Sequence, residues 1–226
     1  MLKLGLDLSL SSIRQQGAWS PDDESSLVAW YQNKVGLTVT EEKVSRWDDS
    51  STNSYDMVQG TAENQPTYTA ETGEVTFDPD NTENLQSSQI SLTGDFTIGV
   101  RLNQAAAGGI LLGDNDATGE FFRFFSTTII RIKIDNATAV DITKDSGTFL
   151  GDGYLVLTRV SNLITLNWDG TAQADTETLS GTADIDAIGI RKTDLNPYDG
   201  AISEIQIYSS SSATLTANVN DRLGRL

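Results

Sequence analysis

Apolar and polar residues alternate with a period of two along most of this chain, which restricts it to half-buried strands. Phe96, Ile98, Val100 and Leu102 fall on one face, with Thr97, Gly99 and Arg101 on the other. Ile130, Ile132 and Ile134 are set in the same way against Arg131 and Lys133, and Phe121, Phe122, Phe124 and Phe125 surround Arg123. Gly109 and Gly113 frame Ile110-Leu111-Leu112, and Glu74 to Asp78 is a short alternating strand. Tyr154, Val156, Thr158 and Val160 lead up to Ser161-Asn162, and Ile164, Leu166 and Trp168 lead back to the turn signal Asp169-Gly170. In Ala201 to Tyr208 the apolar positions slip between Ile202 and Ile205, which predicts a β-bulge. Leu27 to Tyr31 reads as a further buried strand. A strand with one apolar face needs a second layer, so about a dozen such strands predict an all-β, two-sheet antiparallel β-sandwich. No repeat of 20 to 50 residues breaks the pattern, and 226 residues suit one domain.

The composition removes whole classes of function. The chain has no Cys and no His, so disulfides, thiolate metal sites, imidazole bases and His-containing triads are excluded. With 15 Lys+Arg against 32 Asp+Glu the formal charge is −17. Nucleic acid and anionic membranes are held through basic patches, so neither is an expected partner. No apolar run is long enough to cross a membrane as a helix.

The two ends read differently from the middle. Leu2, Leu4, Leu6, Leu8 and Leu10 alternate with Lys3, Gly5, Asp7 and Ser9. Residues 1 to 20 are therefore an edge strand of the chain's own sheet, or an arm added to a neighbouring copy or particle subunit. Asp7 interrupts the apolar stretch, so no secretory signal peptide is expected. Ser20-Pro21-Asp22-Asp23 can open a short helix. The sandwich is expected over 21 to 210, and 211 to 226 as a tail or short helix with Leu215, Val219, Leu223 and Leu226 at near-helical spacing. Its Thr and Asn content makes it a poor helix in isolation.

Several segments carry a family resemblance. Leu27-Val28-Ala29-Trp30-Tyr31, then Lys43 to Ser50, Gln65-Pro66-Thr67-Tyr68 and Phe96 to Val100 resemble, in order and spacing, the concanavalin A-like lectin/glucanase superfamily. Within it the resemblance is to laminin-G-like modules of phage tail and virion appendages and of bacterial surface proteins. Tyr154 to Trp168 resembles the module's central hairpin, and Asp199 to Tyr208 its closing strand. The resemblance covers roughly residues 25 to 210 and implies a concanavalin A-like jelly roll. It implies a structural or adhesive module on a virion or an extracellular surface, with a carbohydrate-binding module as the alternative and a glycoside hydrolase behind it. Assembly as a homo-oligomer through the leader belongs to the same expectation.

Catalysis is not expected. Glucanases on this fold resemble one another in a run of alternating carboxylates on one strand, because alternate residues face the same cleft. Here Asp184 and Asp186 share a strand face with no third carboxylate in register, and Glu204 stands alone. The Asp-rich loops are a better chemical signal, since hard carboxylate and amide oxygens suit Ca²⁺. The loop from Gly113 to Glu120 offers Asp114, Asn115, Asp116 and Glu120 as ligands, and calcium is the cofactor they suggest. Asp78-Pro79-Asp80-Asn81 and Asp48-Asp49-Ser50 with Asn53 are two further clusters. Each can equally be a turn, because Asp and Asn hydrogen-bond their own backbone. A glycan site would need exposed aromatics with polar groups at a rim. Trp30, Trp47 and Trp168 read as core, leaving Trp19, Tyr55, Arg191 and Tyr198 as candidates for a ligand or subunit contact.

Overall fold

The computed structural model describes residues 19–115, 120–135, 137–191 and 195–226. Among the described residues it is all-β, with three single-turn 3-10 helices and one short α-helix near the C-terminal end, as the alternation predicts. In the first layer β1 (Leu27–Tyr31) and β6 (Glu74–Phe77) lie end to end along one side of β18 (Gly200–Tyr208). Beyond β18 follow β8 (Phe96–Gln104), β13 (Gly151–Val160) and β14 (Leu163–Trp168), edged by β15 (Thr171–Ala172) and β16 (Glu177–Thr178). The second layer starts with β2 (Leu37–Thr40), β3 (Lys43–Trp47), β4 (Met57–Val58) and β7 (Leu85–Leu92). It continues through β17 (Ala183–Ile188), β9 (Ile110–Gly113), β10 (Phe121–Phe124), β11 (Ile129–Lys133) and β12 (Val140–Thr143). Strand β5 (Thr67–Thr69) pairs with both β3 and β6 and so joins the layers.

The alternation sends one face of each layer into a shared core. Phe96, Ile98, Val100 and Leu102 of β8 meet Leu112, Phe122, Phe124 and Ile132 of the second layer there. Phe124, Phe149 and Trp168 pack edge to face, with Phe149 and Trp168 centroids 4.9 Å apart. Trp30, Trp47 and Trp168 are all buried, as expected. Ser161 and Asn162 take left-handed backbone conformations at the β13–β14 turn, the geometry a two-residue hairpin needs. The slip in β18 is real: its register against β8 shifts between Ile202 and Glu204.

The tail forms α1 (Ala213–Leu223), capped by the Ser212 hydroxyl, which accepts from the Leu215 amide at 3.1 Å. Leu215, Val219 and Leu223 are buried against Val156 and Tyr208, on the outer face of the first layer. Gly99 makes the seat: a Cβ there would stand 2.4 Å from Val219 Cγ1. Burying three aliphatic side chains is worth roughly 1.5–3 kcal/mol each. The Thr and Asn residues cost at most about 0.7 kcal/mol apiece in propensity, so docking wins over intrinsic preference. Leu226, the fourth residue of the sequence stripe, lies beyond the helix and is exposed. Residues 1–18 fall outside the described residues, and with them the leader expected as strand or arm.

Candidate metal centre

The ladder between β9 and β10 runs one step past its strands. Gly113 pairs with Phe121, and the Asp114 amide then donates to the Glu120 carbonyl at 3.2 Å. That closure sets Asp114 and Glu120 side by side at the neck of the loop. On the other side of β9, Ala187 of β17 pairs with Gly113, so the antiparallel strand carries Asp184 alongside the same loop. Carboxylate oxygens of Asp114, Glu120 and Asp184 all lie within 4.8 Å of one another. Asp114 is 1% exposed and Glu120 4%.

The second contacts hold these groups in place. Glu120 Oε2 accepts from the Asp184 amide at 2.9 Å, and Asp184 Oδ1 accepts from the Ser91 hydroxyl at 2.6 Å. Asp186 Oδ1 accepts from the Asn115 amide at 2.6 Å, and Asn115 Nδ2 donates to Gln86 Oε1 at 3.1 Å. Burial raises the Glu120 carboxyl above its ordinary range. Amide hydrogen bonds from Asp184 and Asp135 oppose that shift, and the charges of Asp184 and Asp114 add to it. Neither Glu120 nor Asp184 makes an ion pair among the described residues.

Two buried carboxylates and a partly buried third at this spacing fit a hard cation. Two oxygens on one Ca²⁺, each about 2.4 Å from it, lie no more than about 5 Å apart. The cluster can therefore bind a metal ion through Asp114, Glu120 and Asp184. Of the four expected ligands, Asp114 and Glu120 converge and Asn115 turns to Gln86, while Asp116 lies outside the described residues. The missed ligand is Asp184. Its signal was the lone Asp184-Ile185-Asp186 pair, whose partner strand is some seventy residues earlier.

The other acidic clusters are turns. Asp78 accepts from the Asp80 amide and from Asn81 Nδ2, both at 2.9 Å. Asp49 accepts from the Trp30, Ser51 and Tyr55 amides and from the Ser51 hydroxyl. Among the remaining candidates, Trp19 packs partly buried beside α1, and Tyr55 is half-buried with its carbonyl accepting from the Tyr31 hydroxyl. Tyr198 is fully buried against Phe77 and Phe124, so it offers no surface to a ligand. Arg191 lies over the Phe121 ring at 4.9 Å. Glu204 is wholly enclosed and bound by Arg222 and Trp30.

These features define an antiparallel β-sandwich with an acidic cluster beside one inter-strand loop, and solved structures share the sandwich fold. Domain 4 of AbnA, a GH43 extracellular arabinanase from Geobacillus stearothermophilus solved in complex with arabinotriose, superposes with a TM-score of 0.57 at 14% identity, over 88% of this chain and 98% of that one. Trypanosoma rangeli sialidase superposes with a TM-score of 0.52 at 11% identity, over 88% of this chain. This chain spans about a third of the sialidase, 33% of its length. The structural neighbours are thus domains of carbohydrate-active proteins, and the likeness at this identity is one of fold. No family model and no curated protein sequence matches the chain. No helix among the described residues is long and apolar enough to cross a membrane.

Proposed function

We propose that this chain is a non-catalytic adhesive module that binds glycans, with Ca²⁺ bracing its β9–β10 loop. The observation that carries the reading is the match, nearly end to end, to a sandwich domain solved with arabinotriose bound. A non-catalytic role agrees with how the strand carboxylates are used. Hydrolysis needs two carboxyl groups facing an open cleft. Glu204 is spent on Arg222, Asp114 and Glu120 are buried, and Asp184 and Asp186 accept from Ser91 and Asn115. A place on a virion rests on the resemblance to laminin-G-like appendage modules and on the Leu2 to Leu10 leader, which lies outside the described residues. The test is an oligosaccharide panel read for binding by calorimetry and for new reducing ends. Binding without turnover is expected; turnover overturns the non-catalytic reading, and silence across the panel overturns the glycan reading.

Calcium is the finer assignment of the acidic pocket, and its effect is thermodynamic. At 10 mM, a hundred times a Kd of about 10⁻⁴ M, bound ion stabilises the fold by about 2.7 kcal/mol. For a chain of this size that is a rise in Tm of roughly 5–10 °C over protein in chelator. The sign with pH follows from Glu120. Its folded pKa is raised, so its ionised form costs stability at pH values above that pKa, and the cost disappears as pH falls below the unfolded value. The calcium increment is therefore expected to be largest at pH 7 and to shrink on acidification. Asp184→Asn should remove most of it. Equal Tm with and without calcium at pH 7 would discard the ion.

A further inference from the structure

The outer face of the second layer gathers positive charge in an otherwise acidic chain. On β10 and β11, Arg123 and Arg131 are direct cross-strand partners, an arrangement of like charges that destabilises a sheet. Phe121 pairs with Lys133 on the same face. Arg191 arrives from the segment after β17, which crosses above Gly113: a Cβ on that glycine would stand 2.3 Å from the Ile190 carbonyl oxygen. The Arg191 guanidinium then covers the Phe121 ring. Burial lowers the Arg123 pKa, and the charges of Arg191 and Arg131 lower it further, so both of those cations are felt at Arg123.

Their partners leave the site one-sided. Asp141 grips Arg131 in a fork of 2.6 and 2.7 Å and holds it over the Phe125 ring, 3.4 Å from the centroid. Among the described residues the Arg123 side chain donates only to the Gly108 carbonyl, at 2.8 Å, and it lies 5.4 Å from the centre of Phe125. Arg191 donates to Asn196 Oδ1 at 3.2 Å, and its Nε is buried with no acceptor among the described residues. Neither Arg123 nor Arg191 has a carboxylate partner among the described residues, although 32 acids stand against 15 bases in the sequence. Phe125 is 38% exposed beside them.

We propose that Arg123 and Arg191 bind the carboxylate of an acidic saccharide, with Phe125 giving its sugar ring an apolar edge to rest on. Guanidinium forks match planar carboxylates in two-point hydrogen bonding, and an exposed aromatic beside polar groups suits a pyranose. Asp141 is a positioning residue, because it fixes Arg131 and through it the Phe125 ring. The proposal rests on the glycan reading and narrows it to carboxylate-bearing sugars.

The experiment is calorimetry on the full chain with oligogalacturonate, oligoguluronate and a sialylated trisaccharide. Arabinotriose, methyl-esterified oligogalacturonate and a sulfated disaccharide serve as comparisons. At least one carboxylated sugar should bind, its neutral or esterified counterpart at least tenfold more weakly, and 0.5 M salt should weaken binding several-fold. Arg123→Gln and Arg191→Gln should each lose at least tenfold with unchanged Tm. Arg101→Gln, on the first layer and paired to Asp152, should bind normally. A preference for the sulfated sugar, or binding that survives both arginine variants, overturns the assignment. If arabinotriose binds and no acidic sugar does, this inference falls while the glycan reading stands. Silence from every sugar brings down both. If Arg191→Gln lowers Tm, Arg123→Gln and the salt series still decide.

Discussion

Arg222→Met is expected to destabilise the fold by about 3–5 kcal/mol, the usual cost of stranding one member of a buried ion pair. Glu204 has no exposure at all. Its carboxylate is reached by Arg222 from α1, by the Trp30 indole at 3.1 Å, by Gln206 Nε2 at 2.7 Å and by the Asn33 amide at 3.3 Å. Arg222 also stacks on Trp30, 4.8 Å from the ring centre. The Tyr208 hydroxyl donates to Gln206 at 2.7 Å. Burial, and then the charge on Glu204, push its pKa well up, so it remains a donor. Without Arg222 the negative charge faces neutral donors alone. Glu204→Gln should cost less, about 1–2 kcal/mol, since the amide still accepts and Arg222 keeps some access to water. The double variant Glu204→Gln/Arg222→Met should then lie well short of the sum, with an interaction energy of about 1–3 kcal/mol. Urea midpoints at constant slope measure all three. A loss below about 1 kcal/mol for Arg222→Met would mean that α1 is held by its apolar stripe alone.

That network also shows where reading the sequence stops. Period-two alternation located β8, β11, β13 and β18, and even the bulge beside Glu204, because strand geometry is local. The spacing of Leu215, Val219 and Leu223 marked α1, yet its polar residues argued against a helix. What decides the matter is Gly99, more than a hundred residues away, which leaves room for Val219. The metal centre was half legible for the same reason. Asp114 and Glu120 flank one loop, whereas Asp184 joins them only through pairing of β17 with β9. Tyr198, a candidate from sequence for a ligand or subunit contact, is instead fully buried. A Cβ on Gly109 would stand 2.7 Å from Tyr198 Cα, so that glycine admits the backbone and lets the ring turn into the core. Arg123 and Arg131 were visible as outward residues of two strands, but the hairpin register that sets them opposite each other was not.

Arg159→Lys is expected to cost at least about 2 kcal/mol, and Arg159→Met about 3–5 kcal/mol, although no carboxylate among the described residues bonds to this arginine. Arg159 follows Leu155 and Leu157 on the core-facing side of β13 and is 1% exposed. Its fork donates to the Gly94 carbonyl at 2.8 Å, the Gly181 carbonyl at 2.7 Å and the Leu92 carbonyl at 3.1 Å, with a second contact to Gly94. The guanidinium also lies over Phe96, 4.7 Å from the ring centre. Burial lowers its pKa, but a guanidinium stays charged at any working pH. An apolar replacement for a buried ion pair can be harmless when both partners are removed together. Here the partners are backbone carbonyls, which no side-chain substitution removes, and each costs about 1–3 kcal/mol when buried unsatisfied. Lysine keeps the charge but, as a single point donor, cannot span three carbonyls held by two separate segments. Gly181 lies two residues before β17, so its release should loosen the start of the strand that carries Asp184. Arg159→Lys is therefore expected to speed amide exchange over residues 181–185 and to shrink the calcium-dependent rise in Tm. If stability falls while the calcium increment is untouched, Arg159 closes the sandwich without positioning the acidic pocket.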